Sequence, residues 1–184
     1  MSDSPTPDSP AHPILVPVDF SPPARAALIA GARMAMCTGA PLKVLHVVHA
    51  PADRPDYYQR RSERDILLPV EELANRMFAE FLHDTYQRNP ELTVLEAPST
   101  LLVTGLPSTR IPEVARLVDA SQIVMGQQRA TGMFRNLRAP LSERIANRCG
   151  IPVTVVYSDA SPAAAARRPR ERFGPVDANA APLG

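Results

Sequence analysis

The sequence has few cysteines, and this scarcity argues against a metal-stabilised or disulfide-stapled protein. The two cysteines among 184 residues are Cys37 and Cys149. They form no CxxC pair and have no histidine at metal-ligand spacing, so no metal site is expected. We interpret both as buried free thiols, because cysteine is among the residue types most often buried. The four histidines are scattered, and none has an evident partner for acid–base catalysis.

Strong charge and long apolar runs are also absent, which argues against nucleic acid and membranes as partners. The net charge is +1 and the sequence pI is near 7.9, so no strong field attracts nucleic acid or anionic lipid. A membrane-spanning helix needs about 20 consecutive apolar residues, and the longest runs here are only a few residues long. The N-terminus has no basic segment followed by an apolar one. We therefore expect a cytoplasmic protein.

The composition predicts a single domain between two tails. Apolar residues make up 45% of the chain, enough for one α/β core and too few for two. Residues 1–12 are rich in proline, serine and aspartate, and residues 158–184 lack apolar periodicity. Such segments bury too little surface to offset the entropy of ordering. We therefore predict disordered tails at 1–12 and 158–184 around a domain at 13–157. The basic run 167–172 could contact an acidic partner, although a solvated tail is the simpler interpretation.

Between the tails, short apolar runs alternate with stretches of helical periodicity. The runs are rich in β-branched residues, which is typical of buried strands. The predicted strands are residues 14–18, 42–48, 99–103, 122–125 and 152–157, and the predicted helices follow Ser21, cover 70–81 and 111–118, and begin near 140. This alternation favours a parallel sheet covered by helices on both faces. Ligands of such sheets bind beyond the carboxyl ends of the strands.

The segment 123–145 has the layout of a phosphate-binding loop. An apolar run ends at Gly126, a polar turn follows, and a helix starts near Pro140, which is an order that suits a nucleotide phosphate. The turn carries three arginines, Arg129, Arg135 and Arg138. Guanidinium groups can bind a phosphate through paired hydrogen bonds, although an arginine-rich loop is more often solvated.

In their order and spacing, these pieces resemble the universal stress protein family from His12 to Tyr157. The matching pieces are residues 14–21, 42–48, 105–107, 123–126, 141–145 and 151–156. The resemblance implies a five-stranded parallel sheet, Rossmann-like or flavodoxin-like, with strand order 3-2-1-4-5. It also implies a homodimer through the last strand, whose apolar, β-branched edge is open to pairing with its copy. Val153, Val155 and Tyr157 are the predicted interface residues.

ATP-binding members of that family carry the motif Gly-x-x-Gly-x9-Gly-Ser/Thr. Its glycines let backbone amides approach the phosphates. The matching positions here are Gly126, Arg129, Ala139 and Pro140, so only the first glycine remains. Pro140 removes both an amide donor and a hydroxyl at the start of the helix. Charge-assisted hydrogen bonds are worth about 1.5–3 kcal/mol each, so losing two would weaken ATP binding by several powers of ten.

The positions that the resemblance places around the adenosine are better preserved. They are Pro17, Val18, Asp19, Val47, Met125 and Gly126. Asp19 could accept a hydrogen bond from an adenine amino group or a ribose hydroxyl. It could equally close the turn that caps the helix beginning near Pro22.

The favoured function is a regulatory or stress-response protein that acts as a homodimer through protein contacts, with a vestigial or altered nucleotide pocket. The alternative is an adenine-nucleotide sensor in which ATP, AMP or a cyclic dinucleotide orders the loop at 51–66. Tyr57 and Tyr58 of this loop could cover the pocket or contact a partner, although exposed tyrosines without a role are the simpler interpretation. An enzyme such as a slow ATPase has less support, because known phosphate-loop and nucleophile motifs are absent and His46 has no evident nucleophile.

Overall fold

Strands and helices alternate in a computed structural model that describes residues 11–49, 58, 68–129 and 139–158. The strands are β1 (Ile14–Val18), β2 (Leu42–Val48), β3 (Ser99–Thr104), β4 (Gln122–Gln128) and β5 (Val153–Ser158). The helices are α1 (Pro22–Thr38), α2 (Val70–Gln87), α3 (Pro107–Leu117) and α4 (Leu141–Cys149), with a 3₁₀ turn at Thr93–Leu95. The predicted tails, apart from residues 11, 12 and 158, lie outside the described residues. So do Arg135, Arg138, the run 167–172 and the loop 51–66 except Tyr58.

The strands form one parallel sheet in the order β3-β2-β1-β4-β5, which confirms the predicted fold. β1 lies at its centre, with Ile14 opposite Leu42 of β2 on one side and Gln122 of β4 on the other. The chain moves outward from β1 in one direction through β2 and β3, and then in the other through β4 and β5. The strand order therefore reverses between β1 and β4, where a crevice opens at the carboxyl ends of the strands.

The ends of α1 follow from its sequence. Ser21 is the N-cap and its Oγ accepts a hydrogen bond from the Ala24 amide at 3.3 Å, while prolines occupy the first helical turn. Gly39 ends the helix in the left-handed conformation, at φ 70°.

The strand boundaries predicted from the sequence are close to those of the structure. β4 runs three residues beyond its prediction, because Gln127 and Gln128 continue the ladder opposite Tyr157 and Ser158 after the apolar run has ended.

Two apolar layers cover the sheet, one on each face. The layer beneath α1 and α2 includes Val16, Leu28 and Phe78. The opposite layer, beneath α3 and α4, includes Ile123 and Ile145. Consecutive residues of one strand contribute to opposite layers, as the pleat of a strand requires.

Three burial predictions were wrong. Cys37 is exposed, because the buried face of α1 ends at Ala35 and a residue two positions later points to another side of the helix. Cys149 is buried as predicted. The helical periodicity of 70–81 also predicts Val70 and Met77 in the core. Val70 is 40% exposed, because it is the first residue of α2 and the buried face begins with Leu73. Met77, predicted in the core, is only partly buried.

Candidate functional site

A cleft of about 230 Å³ lies at the carboxyl ends of β1, β2 and β4. The first turns of α3 and α4 close it from the sides, through Pro107 and Ser142. Its walls are mostly apolar, and its polar lining residues include Asp19, Gln127 and Ser142. An apolar cleft with a few polar groups, at the point where strand order reverses, is the usual form of a ligand site in this type of sheet.

Most of the site residues predicted from the sequence line this cleft. They are Pro17, Val18, Asp19, Val47, Met125, Gly126 and Pro140. Arg129 and Ala139 are not among the lining residues. The Arg129 guanidinium lies over the Tyr157 ring of β5, with 5.9 Å between its central carbon and the ring centroid. Arg129 is therefore directed toward the edge of the sheet, and the role of the lining residues as nucleotide contacts stays a prediction.

The one glycine that matches the motif, Gly126, lies against the start of α1. A Cβ added there would overlap the Pro23 carbonyl group and would lie 2.6 Å from the Ala24 nitrogen. Real Cβ atoms do not approach backbone atoms so closely, so any other residue at position 126 would push α1 away from β4. The close packing of α1 thus explains this glycine without reference to a phosphate.

Asp19 connects the cleft to the start of α1. Its carboxylate accepts hydrogen bonds from the Ser21 amide, at 3.2 Å, and from the Ser21 hydroxyl. Ser21 in turn caps the Ala24 amide. The side chain is exposed at the cleft, so the turn-closing role predicted from the sequence is present and leaves the carboxylate at the rim of the cleft.

The start of α4 forms the opposite wall. Pro140 is the N-cap residue, and the first helical hydrogen bond runs from the Arg144 amide to the Pro140 carbonyl at 3.1 Å. The amides of the three residues between them therefore point out of the helix start. The buried Ser142 hydroxyl donates to Gln127 Oε1 at 2.6 Å. The sequence prediction missed Ser142 and Gln127, although a hydroxyl two residues after Pro140 was a visible signal.

The pattern of the sequence over residues 10–157 matches the model of the universal stress protein family. The chain belongs to this family. No protein with a curated description matches it.

Solved universal stress proteins have a similar fold. One from Burkholderia pseudomallei is 26% identical, with a TM-score of 0.54 over 82% of this chain and 98% of that one. A universal stress protein in complex with cAMP is 16% identical, with a TM-score of 0.56 over 80% and 98% of the two chains. One from Archaeoglobus fulgidus in complex with dAMP is 20% identical, with a TM-score of 0.51 over 80% and 98%.

A buried histidine forms part of the wall of the cleft in this universal stress protein. His46 of β2 is 1% exposed, and its Nδ1 lies 2.8 Å from the Val18 carbonyl oxygen. Its Nε2 lies 3.1 Å from the Tyr58 hydroxyl, and Phe20 stacks on the ring with 4.2 Å between centroids. Burial lowers the pKa of His46, and His49 lowers it further, against the opposing effects of the Val18 carbonyl and Asp19. The sequence pattern placed His46 in a buried strand and did not indicate any of these contacts.

Tyr58 is tied to the end of β2 and does not line the cleft. Its hydroxyl accepts a hydrogen bond from the His49 amide at 3.1 Å. Burial raises the pKa of the phenol. Tyr58 is half-buried, so it is not the exposed tyrosine of the simpler interpretation. Its role as a cover or a partner contact stays a prediction, and Tyr57 lies outside the described residues.

Neither a metal-ligand group nor a membrane-spanning helix is found in the described ranges. No group of three or more His, Cys, Asp or Glu side chains is placed there to hold a metal ion. None of the helices described is long and apolar enough to cross a bilayer.

Proposed function

We propose that this universal stress protein is a cytoplasmic, non-catalytic regulator that works by protein contacts as a homodimer, and that its altered cleft binds the nucleoside part of an adenine nucleotide. The observation that carries the proposal is the convergence of the predicted adenosine contacts on one cleft. They are Pro17, Val18, Asp19, Val47, Met125 and Gly126. Such walls suit the flat, largely apolar surface of a base, with a carboxylate at the rim for its amino group or the ribose.

A ligand with few phosphates fits this cleft better than ATP. The cleft has a volume of about 230 Å³. This is small for a ligand pocket, since such pockets usually measure about 300–1,000 Å³. At the α4 side, Ser142 is already bonded to Gln127, and Arg129 lies over Tyr157. The cAMP and dAMP found with two solved relatives each carry one phosphate, which agrees with this preference.

Catalysis has less support than regulation. His46, the buried histidine in the cleft wall, binds a backbone carbonyl with one ring nitrogen and a phenol with the other. Asp19 is engaged by Ser21 in a turn. A general base needs a proton of the substrate or of a nucleophile within reach, and these two groups serve local structure instead.

Calorimetric titration with adenosine, AMP, cAMP and ATP at physiological ionic strength tests the proposal. We expect AMP and cAMP to bind at least about tenfold more tightly than ATP, a difference of about 1.4 kcal/mol. Asp19→Asn keeps an acceptor for Ser21 but removes the charge, so it should weaken binding. Arg129→Ala is the matched control and should leave affinity unchanged, because Arg129 does not line the cleft.

Three outcomes would contradict the proposal. Tightest binding of ATP would show that the phosphate end is functional despite the altered motif. A protein that binds none of the four ligands would instead regulate by protein contacts alone, with a vestigial pocket. Release of ADP from ATP that disappears in Asp19→Asn would assign an enzymatic role.

A further inference from the structure

The hydrogen bonds of His46 define which of its ring nitrogens carries a proton. The Val18 carbonyl oxygen can only accept, so the Nδ1 that lies 2.8 Å from it must donate. In the neutral ring, Nε2 is then the acceptor, and the Tyr58 hydroxyl donates to it across 3.1 Å. The oxygen of that hydroxyl accepts from the His49 amide at the same time. These contacts fit a neutral His46 in the Nδ1–H form.

This chain of hydrogen bonds ends at the peptide that carries Asp19. Val18 is the last residue of β1, and its carbonyl belongs to the peptide group that joins it to Asp19. On the other side of Asp19, Phe20 has φ 60°, an uncommon value for a bulky residue, and stacks on the His46 ring. His46 therefore contacts the backbone before Asp19 and the side chain after it.

The charged and titratable groups around His46 come from several elements. Asp19 follows β1, His49 follows β2, and the charge of Glu71, in the first turn of α2, acts on Tyr58. Burial is the largest effect on the pKa of His46 and lowers it, as His49 also does. The hydrogen bond to the Val18 carbonyl and the charge of Asp19 raise this pKa. The pKa of His46 is lowered as a result, in agreement with the neutral form that the hydrogen bonds fit.

We propose that Tyr58, His46 and the Val18 carbonyl form a proton-sensitive relay that positions Asp19 at the cleft, so that acid weakens binding of an adenosine-type ligand. Protonation turns Nε2 into a donor that faces the Tyr58 hydroxyl. The phenol oxygen must then accept from both His46 and His49, and its own proton must turn elsewhere. The effect on ligand rests on the proposed function, whereas the relay itself can be measured without ligand.

NMR titration of protein labelled with ¹⁵N and ¹³C tests the relay directly. We expect His46 in the Nδ1–H form, with a midpoint below the ordinary value of about 6.5, and an Asp19 amide shift that follows the same midpoint. Tyr58→Phe removes the donor to Nε2, so the midpoint should rise. Tyr157→Phe is the matched control and should leave it unchanged. A proton on Nε2 of neutral His46, or an Asp19 amide that ignores the titration, would overturn the relay.

The predicted weakening of ligand binding by acid is tested by measuring the affinity for adenosine and cAMP between about pH 8 and pH 5.5. These two ligands are chosen because neither changes its charge in this range. We expect the wild type to bind at least about threefold more weakly at the acidic end, as for the loss of one hydrogen bond. His46→Gln keeps an amide donor for the Val18 carbonyl but cannot titrate, so its affinity should stay constant with pH. His46→Leu should bind weakly throughout.

The two proposals fail in different ways. If neither ligand binds at any pH, the proposed function is wrong and the NMR titration still decides the relay. If both bind and the pH dependence is the same in His46→Gln as in the wild type, the site is real and the relay is wrong. His46→Gln and Tyr58→Phe keep both measurements available should His46→Leu fail to fold.

Discussion

Gly126 of β4 and Pro23 of α1 are in such close contact that a Cβ on residue 126 would overlap the Pro23 carbonyl group. The contact joins a central strand to the first turn of the helix that covers it. The other motif positions carry Arg129, Ala139 and Pro140, which all have a Cβ. A packing role explains why the first glycine is present even where the rest of a phosphate-binding motif is not.

Gly126→Ala should therefore destabilise the protein severely. Overpacking against backbone costs about 3 kcal/mol or more, because neither α1 nor β4 can shift without disturbing the core. Urea unfolding monitored by circular dichroism measures the change. Gly39→Ala is the control for a glycine with room around it: φ is 70° and nothing lies within 4 Å, so only the left-handed backbone resists, at about 1–2 kcal/mol. Equal losses in the two variants would refute the packing role.

Arg25 should contribute more to stability than Arg88, although both pair with Asp84 at 2.9 Å. Arg25 also donates to the buried Thr85 hydroxyl at 2.6 Å, and its central carbon lies 4.6 Å from the centroid of the Phe81 ring. It thus joins α1 to α2, whereas Arg88 is largely exposed on α2 itself.

We expect Arg25→Met to lower the free energy of unfolding by about 1–2 kcal/mol, through a lost charge-assisted hydrogen bond and cation–π contact. Arg88→Ala should cost less than about 0.5 kcal/mol, as is usual for an exposed pair within one helix. Chemical denaturation of the two variants under identical conditions checks the difference. A larger loss for Arg88→Ala would contradict the role assigned to Arg25.

Local sequence signals predicted much of the fold but few of the contacts at the site. Alternation and periodicity gave the positions of β1, β2 and α1, since each depends on neighbouring residues. The strand order came from the family resemblance. His46 contacts the Val18 carbonyl, 28 residues away in the sequence, and Arg25 contacts Thr85, 60 residues away. No periodic pattern encodes such pairs, because they arise only when separate elements pack.

The stability of the protein should fall with acid in a way that depends on His46. Its folded-state pKa lies below the ordinary value, so the unfolded chain takes up the proton first as the pH decreases. The stabilising effect is present above about pH 6.5, the unfolded value, and is lost as the pH falls from there through the lowered folded pKa. Urea unfolding at several pH values should show this loss in the wild type. His46→Gln is the reference, because it removes the contribution of His46 while the other groups still titrate. If the free energy of unfolding depends on pH in the same way in both proteins, the prediction is wrong.

The outer edge of β5 is where the proposed homodimer would form. The Ile123 amide of β4 donates to the Pro152 carbonyl at 2.9 Å. A parallel ladder uses every second residue of a strand, so the amides of Val153, Val155 and Tyr157 face away from β4. The three residues predicted as the interface are therefore those whose backbone groups point to the outer edge, and Tyr157 is 54% exposed.

Val155→Pro should convert the proposed dimer to monomer, because proline removes one edge amide while leaving the β4–β5 ladder intact. Val155→Thr keeps the amide and a β-branched side chain, so it should remain dimeric. Sedimentation equilibrium measures both, and circular dichroism confirms that each variant is folded. A folded Val155→Pro protein that dimerises as tightly as the wild type would place the interface elsewhere. A wild type that stays monomeric at high concentration would remove the homodimer from the proposed function, since this edge would then have no copy to pair with.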